Sequence, residues 1–423
     1  MDYRIFPPED LFEINIQLPP SKSLAVRTIM LDCLSGNLDA SAPLAETCSD
    51  TQRLYGILSG GIPTDGSAVD AGDAGTAMRF VCALAAATEG SHCTLTGTER
   101  MLQRPIGALV DALRSLGAEI NYLGEEGFPP LDIKGKRLKG GNIGVDSSVS
   151  SQFISALMLT APLMDADLNI KLEGEVQSAP YLRMTAGLMR HYGIDVEVER
   201  DRIAIQGHSY RRADHAMEPD WSAAAFWYEI VAISAAWVTL EGLKKDSLQG
   251  DSAAAALFER LGTQTEFTDE GAELSASPEL FNRLEADLSD TPDLAPALAI
   301  CAATVGVPFR LSGLGALHDK ECDRMQAIID ELAKAGVLCE TEAYGTTLLW
   351  DGQKVPLREL PVFDSHNDHR IAMALAPMSV FMPGIVIRGV ECVAKSYPTY
   401  WEELQKAGFS LIDPAQYPAP TEQ

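Results

Sequence analysis

One unit recurs along this chain and restricts what it can fold into: an amphipathic helix, a glycine just past its end, then a short strand. It appears in Leu54–Leu58 with Gly60-Gly61, in Leu109–Leu116 with Gly117, and in Leu182–Tyr192 with Gly193. It returns in Ala254–Leu261 with Gly262, in Ile328–Ala335 with Gly336 and in Trp401–Ala407 with Gly408. Glycine takes the left-handed conformation that turns a chain out of a helix and into a strand. The marker glycines 61, 117, 193, 262, 336 and 408 lie 56, 76, 69, 74 and 72 residues apart. The chain therefore reads as six copies of one α/β unit of about 70 residues. Each copy also has a front part of strand, polar loop and helix. Residues 13–18 alternate in polarity and Pro19-Pro20 ends that strand. Ser21 or Ser23 then caps a helix running to about Ser35-Gly36. Further strands are expected at 92–96, 168–172 and 202–206, and the polar stretch 208–218 is the expected domain boundary.

Charge narrows the function. The formal net charge is −27, from 33 basic and 60 acidic residues. So acidic a surface opposes binding to nucleic acid or anionic membrane. Yet lysines and arginines recur beside Ser-, Gly- or Asp-marked helix starts, where free N–H groups already favour anions. Small anions are the implied ligands. The apolar stretches near 226–240 and 294–305 are too short or too interrupted to span a bilayer. Eight cysteines show no C-x-x-C pair or metal-ligand spacing, and Cys82 and Cys301 sit in alanine-rich apolar runs. With no basic-then-apolar leader pattern at the N-terminus, a reduced cytoplasm is expected.

The motifs gain meaning from their joint order. Leu18-Pro19-Pro20-Ser21-Lys22-Ser23 with Arg27 is followed by Asp73-Ala74-Gly75-Thr76-Ala77-Met78-Arg79 and Arg104-Pro105-Ile106-Gly107. Next come Ser147-Ser148-Val149-Ser150-Ser151-Gln152-Phe153, Ser178-Ala179-Pro180-Tyr181 and Pro292-Asp293. The last are Lys320-Glu321-Cys322-Asp323-Arg324, Asn367-Asp368-His369-Arg370 and Ala394-Lys395-Ser396-Tyr397-Pro398. This series, covering nearly the whole chain, resembles the 5-enolpyruvylshikimate-3-phosphate synthases, the enolpyruvyl transferases of the shikimate pathway to chorismate and the aromatic amino acids. The resemblance implies an α/β enolpyruvyl transferase fold of two inside-out α/β barrels, each of three βαβαββ units. The implied domains are 1–20 plus 217–423, and 21–216.

The implied reaction joins shikimate-3-phosphate to phosphoenolpyruvate, two small anions that each carry a phosphate and a carboxylate. By resemblance, Lys22, the Gly75 backbone, Arg104, Gln152 and Lys395 hold the phosphoenolpyruvate phosphate. Arg324 and Arg370 grip its carboxylate, which a planar guanidinium suits better than an ammonium. Lys22, Ser23, Arg27, Ser150, Ser151, Gln152, Ser178, Asp293 and Lys320 position shikimate-3-phosphate, with Tyr181 beside Ser178. Asp293 is the implied base and Glu321 the implied acid, with Lys22 also at the reacting centre. A purely electrostatic role for Glu321, as partner of Lys320 or Arg324, is compatible with this. Arg79 is read as a brace for its own helix. No metal or organic cofactor is called for, and the chain is expected to act as a monomer. The family's herbicide inhibitor, glyphosate, is implied to compete with phosphoenolpyruvate beside Gly75.

Several positions depart from the family pattern. Pro20 stands where Gly is common, Val26 where Asn is frequent, and Asp73 where Asn is usual. A carboxylate at Asp73 would repel a nearby phosphate unless it is paired. Ala316-Leu317-His318-Asp319 lacks a polar residue that some members use on the shikimate ring. Two other readings remain: a UDP-N-acetylglucosamine enolpyruvyl transferase, and a non-catalytic anion-binding paralogue. The first opens with a different Lys-Asn motif and uses a cysteine on a mobile loop; here Ser-Lys-Ser and Asn-Asp-His-Arg point the other way, and no cysteine lies in a Gly/Arg-rich stretch.

Overall fold

The computed structural model describes residues 1–40, 47–146, 150–174, 176, 178–207, 209–277 and 279–416. Ser147, Ser148 and Val149 of the serine motif, and His208 in the 208–218 stretch, lie outside them. The chain divides into two compact units, Met1–Ser21 with Glu218–Gln423, and Lys22–Met217.

Among the described residues, the first unit holds three four-stranded sheets. In spatial order they are Val362–Asp364, Ile385–Arg388, Asp2–Phe6, Ser410–Ile412; then Thr263–Phe267, Gly271–Ala276, Trp237–Glu241, Glu13–Ile16; then Leu284–Asp287, Phe309–Ser312, Thr347–Trp350, Glu340–Glu342. Two N-terminal strands thus complete sheets that the C-terminal half builds. The second unit holds two more: Ala68–Asp70, His92–Thr96, Leu131–Lys134, Glu119–Tyr122, and Gly141–Asp146, Leu168–Glu173, Arg202–Gln206, Asp195–Val198. Every sheet has one parallel pair and two antiparallel pairings. Three of the five sheets are each built from one continuous βαβαββ stretch, and the other two are completed by the N-terminal strands.

All six marker glycines have positive φ, from 76° at Gly61 to 103° at Gly117. The helices before them run Ser49–Gly60, Gly107–Ser115, Ala179–His191, Ala254–Glu259, Arg324–Lys334 and Tyr400–Lys406. The first copy differs from the rest. Its helices Lys22–Ser35 and Ser49–Gly60 are present, but the next strand after Gly61 begins at Ala68 and opens the following sheet. The first helix begins at Lys22, so of the two expected cap residues Ser21 stands just before it and Ser23 inside its first turn.

Each unit is organised around helices that are apolar on every face, which belong in a core. In the first unit Trp221–Ser234, Ala295–Val305 and His369–Leu375 pack against one another, with every residue of Ala295–Thr304 and of His369–Leu375 buried. In the second, Gly75–Ala87 packs on Ser151–Thr160 and Lys22–Ser35. Cys82 and Cys301 lie in these helices, fully buried, and burial pushes the Cys82 thiol up to about 12. Such helices place their polar residues at the N-terminal turn, and that is where the motifs fall: Lys22, Gly75, Ser150–Gln152, Asp293 and Asp368–Arg370.

One core group breaks the pattern. Glu229, in the middle of Trp221–Ser234, is fully buried and neither carboxyl oxygen has a hydrogen-bond partner. Burial holds its pKa well above the usual carboxylate range, so the native protein keeps a proton that the unfolded chain releases. Stability must then fall as pH rises above the unfolded value of about 4.3, by up to about 1.4 kcal/mol per pH unit. Glu229→Gln removes this loss, and its advantage over the wild type grows between pH 5 and pH 8 in urea unfolding. Parallel pH profiles for the two proteins contradict the assignment.

Candidate active site

In the first unit the motif residues converge on one buried guanidinium. Arg324 opens the helix Arg324–Lys334 and is 1% exposed. Its Nε donates to Asp368 Oδ2 at 2.7 Å, Nη1 to Asp293 Oδ1 at 2.9 Å, and Nη2 to Glu321 Oε2 at 2.7 Å. Each acid comes from a different stretch of chain. Asp293 lies in the turn before the core helix Ala295–Val305, Glu321 in the loop before Arg324, and Asp368 at the cap of His369–Leu375. Burial works against a charged arginine, but Asp368, Glu321 and Asp293 together raise its pKa well above the ordinary value. Arg324 is therefore a fixed cation.

The acids are shared with further cations. Arg370 Nη2 donates to Asp293 Oδ2 at 3.0 Å, and Lys320 Nζ is 3.3 Å from Asp293 Oδ1. Lys395 Nζ is 3.6 Å from Glu321 Oε1. Burial works to raise the Asp293 pKa, but Arg370, Lys320 and Arg324 outweigh it and hold the carboxyl well below the usual range. Asp293 is ionised, and four cations surround two carboxylates that are accessible on one side. Asp251 borders the same cluster. It is 3% exposed, and burial followed by the Asp293 charge pushes its carboxyl up to about 6. Ser222 donates to its Oδ2, while its Oδ1 has no hydrogen-bond partner.

The turn that delivers Asp368 and Arg370 is strained. His366 and Asn367 are both left-handed, at φ 51° and 55°, a conformation that costs a non-glycine residue about 1–3 kcal/mol. Asp364 Oδ1 accepts the His366 N–H at 2.7 Å, and Ser365 Oγ accepts the Asn367 N–H at 3.2 Å. Asp368 then caps the helix by accepting the Arg370 N–H at 2.9 Å. It is a cap and an ion-pair partner at once.

The second unit carries the other motif residues. Arg27 is 2% exposed and donates to Thr185 Oγ1 at 2.7 Å, Ser155 Oγ at 3.2 Å and the Ser23 carbonyl at 2.9 Å. Its guanidinium lies over the rings of Phe80 and Tyr181, and burial pulls its pKa down to about 10. Lys22 Nζ is 3.4 Å from Asp50 Oδ2. Arg104 lies against the backbone of Gly75, where a Cβ would come within 2.7 Å of its Nη1. Arg79 donates to the Gly75 and Pro105 carbonyls and to Met101 Sδ, as a brace would. Asp73 accepts a hydrogen bond from the Thr98 hydroxyl, so the expected carboxylate has a partner. Ser150 caps the helix Ser151–Thr160 through Gln152 N, and Ser178 is a buried left-handed residue ahead of Ala179–His191.

The structure thus groups Asp293, Lys320, Glu321, Arg324, Arg370 and Lys395 on one unit. It places Lys22, Ser23, Arg27, Gly75, Arg104, Ser150, Ser151, Gln152 and Ser178 on the other. Glu321 pairs with Arg324 and Lys395, while Lys320 pairs with Asp293. Sequence reasoning missed Asp50, Asp251 and the second role of Asp368. Asp50 follows the serine that opens its helix, an ordinary position for an acid, and Asp251 sits in a polar Gln-Gly-Asp-Ser run. Neither carries a signal above the background of 60 acidic residues. Breaking a buried ion pair from one side leaves an uncompensated charge, so Asp368→Asn should cost about 3–5 kcal/mol in denaturant unfolding. A loss below about 1 kcal/mol contradicts the anchoring role.

Known proteins resemble this chain over most of its length. Residues 57–404 match the family EPSP synthase (3-phosphoshikimate 1-carboxyvinyltransferase). A 3-phosphoshikimate 1-carboxyvinyltransferase of Bacteroides fragilis is 42% identical over 413 residues, covering 97% of this chain and 99% of its own. One of Methanoculleus marisnigri is 33% identical, covering 92% and 96%. Among solved structures, EPSP synthase from Acinetobacter baumannii superimposes with a TM-score of 0.73 at 25% identity, covering 97% of this chain and all of that one. With a family match over most of its length and a relative this similar from end to end, the chain belongs to the EPSP synthase (3-phosphoshikimate 1-carboxyvinyltransferase) family.

Proposed function

We infer that this chain transfers the enolpyruvyl group of phosphoenolpyruvate to the 5-hydroxyl of shikimate-3-phosphate and releases phosphate. The observation that carries the reading is the Arg324 cluster, in which Arg324, Arg370, Lys320 and Lys395 alternate with Asp293 and Glu321. Arg324 and Arg370 take the phosphoenolpyruvate carboxylate. Lys22, the Gly75 backbone, Arg104, Gln152 and Lys395 take its phosphate. Lys22, Ser23, Arg27, Ser150, Ser151, Gln152, Ser178, Asp293 and Lys320 hold shikimate-3-phosphate. We take the two compact units as the domains, and a monomer in the cytoplasm as the working form.

The chemistry needs a base for the 5-hydroxyl and an acid for C3 as the oxygen bonds to C2. C3 then returns a proton as the C2–phosphate oxygen bond breaks, which restores the double bond. Asp293 is the base and Glu321 the acid. A carboxylate held by three cations is a weak base. Substrate anions that share Arg324, Arg370 and Lys320 lower the positive field on Asp293 and raise its proton affinity. The same sharing of Arg324 and Lys395 favours a proton on Glu321. Substrate charge thereby tunes both groups toward the range where proton transfer is effective.

Phosphate release from phosphoenolpyruvate is expected with shikimate-3-phosphate and not with UDP-N-acetylglucosamine; the reverse pattern, or none, overturns the function. Asp293→Asn keeps the shape and should lower kcat by roughly 10²–10⁴-fold, and near-normal turnover in the folded variant removes it from the mechanism. At Gly75 an added methyl meets the Arg104 guanidinium first. Gly75→Ala should raise the KM for phosphoenolpyruvate along with the inhibition constant for glyphosate, by roughly 10–200-fold for a clash of this kind. An unchanged KM shows that Arg104 does not hold the phosphate.

A further inference from the structure

Glu331 takes no part in the chemistry above, yet it is fully buried and bonded on every side. It lies on the helix Arg324–Lys334, seven residues beyond Arg324 and so two turns along the same face. Its Oε2 accepts the Asp364 N–H at 3.0 Å, and His366 Nε2 lies 2.6 Å from Oε1, which a carboxylate can only accept. Lys334 Nζ donates to both oxygens, at 2.9 and 2.7 Å. Asp364 and His366 are the start of the left-handed turn that ends in Asp368 and Arg370. One carboxylate thus ties the helix that carries Arg324 to the strained turn that carries Arg370.

We propose that Glu331 is a positioning residue that sets the spacing of the Arg324 and Arg370 guanidinium groups, and with it the binding of the phosphoenolpyruvate carboxylate. A left-handed turn of non-glycine residues persists only where its surroundings hold it. The local bonds from Asp364 and Ser365 hold the turn to itself, whereas Glu331 holds it to the Arg324 helix. Asp368 links the same two elements from the other end, through Arg324 Nε. With two attachments the turn cannot pivot; with one it can. Two guanidinium groups that recognise one carboxylate are sensitive to such a pivot, because misplacement of about 1 Å costs up to 10²-fold.

The proposal rests on reading Arg324 and Arg370 as the carboxylate anchors, and its test separates the two. Wild-type turnover, and a raised KM for phosphoenolpyruvate in Arg370→Gln, judge that reading without reference to Glu331. Glu331→Gln keeps the volume but removes the negative charge that His366 and Lys334 share, and its NH2 faces the Lys334 ammonium. It should raise the KM for phosphoenolpyruvate about 10-fold, with the KM for shikimate-3-phosphate unchanged within about twofold. His366→Asn, which tolerates the left-handed backbone, removes one of the same contacts and should move the same KM in the same direction. Lys334→Met, on the exposed side of Glu331, should leave both KM values alone. In the Arg370→Gln background, Glu331→Gln should add nothing to the KM for phosphoenolpyruvate, since its effect runs through that arginine. Loss of thermal stability with both KM values unchanged, equal shifts in both, or full additivity with Arg370→Gln each overturn the proposal.

Discussion

A guanidinium taken out of water is tolerable only where anions replace the lost solvation. Arg324 meets that requirement with three carboxylates, Asp293, Glu321 and Asp368, drawn from positions as far apart as 75 residues in the chain (368 less 293). To satisfy one arginine, the turn before one core helix, the cap of another and the start of a third must meet at a point. The fold supplies that point because the core helices Ala295–Val305 and His369–Leu375 are almost wholly apolar and have their charged residues at or just before the N-terminal turn. The same convergence leaves Asp293 and Glu321 each with one oxygen on Arg324 and the other on a different cation, Arg370 or Lys395. The network that anchors Arg324 thus also holds the two carboxylates proposed as base and acid.

The electrostatics explain how a chain with a net charge of −27 handles anionic substrates. Its cations are few, but they are concentrated and pre-oriented by neighbouring acids. Arg27, Arg104 and Arg324 are nearly buried, so their field is screened little by water. Long-range attraction toward so acidic a protein is weak, so affinity rests on short-range, directional contacts. The acids also keep like-charged guanidinium groups together: Arg324 and Arg370 are bridged by the two oxygens of Asp293.

Much of this was legible in the chain. The six glycines mark helix ends because left-handed turns leave few alternatives, and the strands at 92–96 and 202–206 follow from their alternating polarity. The motif order by itself leads to Asp293, Glu321, Arg324 and Arg370. Three features lay beyond it. Asp368 reads as a helix cap, and only tertiary packing brings Arg324 to its outer oxygen. Glu331 looks like part of the polar face of a surface helix and Glu229 stands alone in an apolar run; burial of either glutamate contradicts the usual pattern. The constraint on Gly75 comes from Arg104, 29 residues later, whose direction no local pattern encodes.

The account stands or falls on addition and elimination at the enol carbon. Shikimate-3-phosphate and phosphoenolpyruvate incubated with the wild-type protein in heavy water, and followed by proton and phosphorus NMR, test it most directly. If C3 takes a proton from an exchangeable acid and returns one as phosphate leaves, new vinyl signals on the shikimate ring should appear with inorganic phosphate and carry deuterium. Phosphate without a vinyl product, or a vinyl group with no deuterium from the solvent, would contradict the roles given to Asp293 and Glu321.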